Sequence, residues 1–115
     1  MTIHVNPAAV KNARALIADG KVDKAASDSW SSSKPDAEAE NAFLEKHGWD
    51  EYAKWYLAYD DSANEETKGR FKFPFGDFRK VHRSGVIAAE QRAGSEHDRK
   101  VEEAAAELLK LIDGD

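Results

Sequence analysis

HGWDEYAKWYLAYD, His47 to Asp60, holds all three tyrosines and two of the three tryptophans of a 115-residue chain. Its reading decides the fold. Tyr52, Trp55, Tyr56 and Tyr59 fall three and four apart, a spacing that lets most of them share one face of a helix. Asp50 is placed to cap such a helix, running from Glu51 to about Ala58. On that reading the aromatics form a packed cluster with wet polar tips; an aromatic cage for a cation or a sugar face is the alternative.

The flanks repeat the helical theme. Upstream, Pro35 opens a helix with Asp36, Glu38 and Glu40 near its positive end. Ala39, Ala42, Phe43 and Leu44 line it, and His47-Gly48 closes it. Further back, Asn6-Pro7 pairs a good N-cap with a proline suited to the first helical position. Val10, Ala13, Leu16 and Ile17 carry that helix over 7–18, and Gly20 suits a left-handed terminus. KVDKAASDSWSSSK, 21–34, reads as a polar loop anchored by Val22 and Trp30, with room for a short helical turn.

Downstream of an acidic loop, Asp60 to Thr67, Phe71, Phe73 and Phe75 alternate with Arg70, Lys72 and Pro74. A period of two predicts a short extended segment or one small hairpin, and Pro74 confines any strand there to an edge. Asp77 is expected to cap a helix from Phe78 to about Ala93, closed by Gly94. Ser95 with Asp98 resembles a capping box. It precedes a last helix through Val101, Ala104, Ala105, Leu108 and Ile112. Gly85, Ala88 and Ala89 suggest a close crossing of these two helices. The fold expected is all-α: a compact single domain over 1–115 of four to five helices, with a short extended segment near 70–75.

Composition narrows the function. Without cysteine there are no disulfides, thiolate metal sites or thiol nucleophiles. No leader-like start and no apolar run of about 20 residues occurs, so a soluble, cytoplasmic protein is expected. No catalytic, phosphate-cradling or calcium-binding motif is present, no cofactor or metal site is expected, and the four histidines have no ligand-like spacing.

Charge is the informative feature. The net is −5, yet Lys68 to Arg83, KGRFKFPFGDFRKVHR, holds six Lys/Arg against Asp77 alone. That local +5 leaves −10 on the remainder. An RNA-recognition signature is echoed in Lys68-Gly69, Phe71 and Phe73 but fails at Arg70, Lys72 and Pro74. Phenylalanines on one side of an extended segment are normally core, each contributing about 1.5–3 kcal/mol when fully buried. Arg79 and Arg83, four apart with His82 beside them, demand an anion. It is internal, from Glu38, Glu40, Glu45, Glu102, Glu103 or Glu107, or it is an external partner.

GRFKFPFGDFRKVHRSGVIAAEQRAG, with ENAFLEKHGWDEYAKWYLAYD before it, resembles a family of short conserved actinobacterial proteins, mycobacterial ones among them, of unknown function. The resemblance spans nearly the whole chain. It implies a compact, mainly helical bacterial cytoplasmic domain and brings no activity, cofactor or catalytic residue. The function expected is a non-enzymatic binding or adaptor domain whose basic face takes an acidic protein or a nucleic acid. Lys68, Arg70, Lys72, Arg79, Lys80, His82 and Arg83 would form that face. The alternatives are a small enzyme with a site around Asp77, His82 and Tyr59, or a structural or oligomerisation module.

Overall fold

In the computed structural model, which describes residues 2–25 and 29–114, the chain is mixed α/β rather than all-α. Strand β1 (Ile3–Val5) leads into α1 (Pro7–Ala18), β2 (Val22–Asp23), α2 (Trp30–Ser33) and α3 (Ala37–Ala53). Then come β3 (Tyr56–Asp60), a single 3-10 turn (Lys68–Arg70), β4 (Phe71–Pro74), β5 (Val81–His82), α4 (Arg83–Ser95) and α5 (Arg99–Asp113). A three-stranded antiparallel sheet has the order β1-β3-β4, and β2 pairs with β5 in parallel. The serine-rich stretch read as a loop falls partly on 26–28, outside the described residues.

The error lay in the opening stretch. Helix α3 is two helical runs that meet at Gly48, where φ 83° and ψ 177° are not helical, a conformation that suits glycine and falls where the sequence ends one helix at His47-Gly48. It stops at Ala53, and Tyr56–Asp60 becomes the central strand. All of that strand but Tyr59 is buried. A strand covered on both faces loses the alternation by which strands are recognised, and here its tyrosines happened to sit at helical spacing. The α3 C-terminus is instead satisfied from α1: Asn6 donates to the Ala53 and Tyr56 carbonyls, and Asn12 to the Lys54 carbonyl.

The fourth helix begins at Arg83, not Phe78. Asp77 caps no helix; its Oδ1 accepts the Arg79 and Lys80 amides, at 3.0 and 2.9 Å, in a tight loop. Ser95 is the last residue of α4, and Asp98 precedes α5 without a side-chain cap bond. The first helix keeps its bounds. Its end closes with Gly20 at φ 76°, the Lys21 amide reaching the Leu16 carbonyl at 2.8 Å, which is the Schellman arrangement.

Helices α1, α4 and α5 gather on the sheet, α1 and α5 against β3 and α4 against β4. The core runs from Ala9 and Ala13 through Leu57, Phe75, Val81 and Val86 to Leu108. Gly85 lies not at the α4–α5 crossing but against α2: a Cβ there would stand 2.8 Å from the Phe75 carbonyl and 2.9 Å from the Trp30 ring. No helix among the described residues is long and apolar enough to cross a membrane.

Candidate functional site

The basic segment is folded largely onto carboxylates and carbonyls of its own chain. Lys68 reaches Glu40 at 3.4 Å, Lys80 reaches Asp23 at 3.5 Å, and Arg83 holds Asp113 through two bonds of 2.8 and 3.0 Å. The Arg83–Asp113 contact depresses the Asp113 carboxyl and raises the guanidinium. Arg70 donates from Nη1 to the Asp60 and Ala63 carbonyls and lies 4.9 Å over the Tyr59 ring. Among the described residues, Lys72 and Arg79 reach no carboxylate at ion-pair distance. Arg79 and Arg83 do not share a helix face, because Arg79 sits in the 77–80 loop. Of the six glutamates proposed from sequence to answer Arg79 and Arg83, none pairs with either among the described residues; Glu40 takes Lys68, while Asp23 takes Lys80 and Asp113 takes Arg83.

The phenylalanines divide. Phe73 and Phe75 are buried, whereas Phe71 is half-buried. Phe73 adopts φ 62° inside β4, a left-handed conformation that is unusual for a bulky residue.

Asp77 and His82, named for an enzymatic alternative, do meet: His82 Nε2 lies 2.8 Å from Asp77 Oδ2. Burial raises the Asp77 carboxyl, but the His82 bond and the two loop amides outweigh it and hold it below the usual range. His82 is only 4 % exposed, with the Trp30 ring tilted against it at 5.9 Å and 50°. An acid–base group must come within hydrogen-bond reach of its substrate, and this imidazole is shut away. Tyr59 is not part of the pair; its neighbours are His4 and Arg70.

A second polar cluster is buried in the sheet. The Tyr56 hydroxyl donates to Glu40 at 3.0 Å and stands 2.8 Å from the Tyr52 hydroxyl. Burial drives both phenols up, Tyr52 to about 12 and Tyr56 further.

The two sequence segments singled out above come together at a cleft of about 310 Å³. Register sets His4, Tyr59 and Phe71 side by side across the three strands. Trp49 stacks near Phe71 at 6.2 Å and 25°. Trp49, Tyr59 and Phe71 therefore give the cleft a half-buried aromatic floor, while Asp50, Glu65 and Arg70 stand at its rim. Arg70 fastens the acidic loop that carries Glu65, since its two Nη1 bonds hold the Asp60 and Ala63 carbonyls.

Asn6 closes the inner end of the cleft. It is 8 % exposed, and both of its side-chain bonds use the amide nitrogen. Its oxygen makes no cap bond to α1. No fully buried side-chain oxygen among the described residues lacks a partner, so the Asn6 oxygen, which has none, keeps some solvent access, and Asn6 lines the cleft. Sequence reading named Arg70 and Tyr59 but missed Asn6, Trp49, Asp50 and Glu65 as site residues. Asn6 lies 47 and 50 residues from its two partners, and nothing in its local context signals that pairing.

No protein-family model, curated protein or solved structure matches this chain.

Proposed function

We propose that the protein is a non-enzymatic binding domain of a bacterial cytoplasm, in keeping with its resemblance to short actinobacterial proteins, and that the Asn6–Trp49–Arg70 cleft is its working surface. The observation that carries this reading is the construction of the cleft. Aromatic side chains, the buried Asn6 amide and a fixed guanidinium line it together. Ligand sites are usually clefts of about 300 Å³ and above; this one stands at the lower end of that range, and its lining is more polar than apolar. The absence of cysteine accords with a reducing compartment.

A second reading keeps an acidic protein or a nucleic acid as partner and rests on Lys72 and Arg79, which have no ion-pair carboxylate among the described residues. It has fewer free cations to work with than the sequence promised, because Lys68, Arg70, Lys80 and Arg83 are engaged. Backbone amide NMR separates the two readings. A library of small neutral and charged fragments should move Trp49, Tyr59 and Phe71, while single-stranded RNA and an acidic peptide at low salt leave 68–83 still. Salt-sensitive shifts centred on Lys72 and Arg79, with a silent cleft, would replace the first reading by the second.

A further inference from the structure

We infer, taking the cleft as the working surface proposed above, that its ligand is a neutral, hydroxyl-rich ring: a pyranose sugar. Charge narrows the candidates first. Asp50 and Glu65 against Arg70 leave the lining one net negative charge, which opposes an anion. The Arg70 guanidinium already occupies the Tyr59 face at 4.9 Å, where a quaternary ammonium would otherwise stack. A neutral ligand that both donates and accepts answers all three charged groups together.

The polar groups then specify its chemistry. Arg70 spends Nη1 on two carbonyls, and its Nε and Nη2 have no partner among the described residues, so one planar edge of donors is available. The Asn6 oxygen and the Asp50 and Glu65 carboxylates are acceptors. A hydroxyl both donates and accepts, so neighbouring ring hydroxyls can bridge a carboxylate and a guanidinium at once. Trp49 and Phe71 are stacked at 6.2 Å and 25°, and both stay half-buried in the lining of the cleft, so aromatic surface remains for the C–H face of a sugar to pack on.

The test is a titration of the whole protein with cellotriose, maltotriose and tri-N-acetylchitotriose, with tetramethylammonium chloride and inorganic phosphate as charged controls. The Trp49 indole N–H resonance is the readout. At least one sugar should shift it saturably, with an affinity unchanged between low and high salt. Trp49→Ala, which removes that reporter and is followed instead through the Tyr59 and Phe71 backbone amides, should weaken the binding at least tenfold. Asp50→Asn and Glu65→Gln, both at exposed positions that leave the core intact, should weaken it severalfold with the Trp30 and Trp55 resonances unmoved. Silence at Trp49 towards all three sugars overturns the sugar proposal. A response to tetramethylammonium or phosphate alone overturns it too, yet leaves the cleft standing as a binding surface. A cleft silent to the wider fragment library as well would remove the reading beneath it.

Discussion

Raising the pH puts the buried tyrosine pair to work against the fold. Tyr52 is fully enclosed and ionises only at about 12 in the folded protein, against an ordinary 10. Burial is the chief cause, because a phenolate in the core loses its water. In the unfolded chain the same group titrates near 10, so between 10 and 12 the folded state holds the extra proton and stability falls as pH rises. Two units correspond to about 3 kcal/mol for Tyr52, and Tyr56, pushed in the same direction and further, adds to the loss. Domains are stable by about 5–15 kcal/mol, so the pair consumes a large share of the total before either phenolate forms. Tyrosinate absorbance and far-ultraviolet circular dichroism followed together would show this. Of the three tyrosines, Tyr52 and Tyr56 should ionise only as the helical signal collapses. If all three ionised in one step near pH 10 with native dichroism intact, the buried pair does not exist.

Three further outcomes follow from particular contacts. Gly85→Ala forces a Cβ to within 2.8 Å of the Phe75 carbonyl, and urea unfolding should show a loss of about 1–3 kcal/mol. Gly69→Ala, with nothing within 4 Å, should change stability by less than about 0.5 kcal/mol. Asp77→Asn removes the charge that holds His82 and the loop amides, at a cost of about 1–3 kcal/mol near neutrality. Because the Asp77 carboxyl is held below its ordinary 3.8, its contribution is complete above that pH and fades as pH falls through the depressed value, so chemical-denaturation curves of wild type and variant should converge in acid. Replacing Asn6 by Ala orphans the Ala53 and Tyr56 carbonyls and should lower the thermal midpoint clearly, whereas Lys72→Ala should leave it nearly unchanged.

Local signals in the sequence carried what local forces decide. Asn6-Pro7 and Gly20 bracket α1 because a helix terminus is settled by the residues beside it. The apolar stripe of α5 was readable for the same reason, and the alternation of Phe71 to Phe75 marked an extended segment that the structure sets in a sheet. Tertiary pairing overrode the rest. Tyr56–Asp60 is a strand because β1 and β4 flank it, and β1 itself is only three residues long, too short to show a period. The capping roles given to Asp77 and Ser95 failed through a competing interaction in the first case and a shifted helix boundary in the second. The acids that answer the basic segment, Asp23 and Asp113, lie far from it in sequence, so segregation of charge along the chain concealed its neutralisation in space. The cleft was half legible: Tyr59, Phe71 and Arg70 stood out by composition, while Asn6, Trp49, Asp50 and Glu65 reach it only through the fold.

Whether the basic segment is turned inward is tested most directly by nitrogen-15 NMR of the arginine side chains. Arg83 is clamped by Asp113 through two bonds, and Arg70 by two carbonyls and the Tyr59 ring. Arg79 is exposed and serves as the internal reference for a free guanidinium. Slowed rotation about the Nε–Cζ bond at Arg70 and Arg83, persisting in moderate salt, with fast rotation at Arg79, is the predicted result. Equal, fast rotation at all three would mean that the segment's charge is not answered internally, and the surface would again be a polyanion site awaiting its partner.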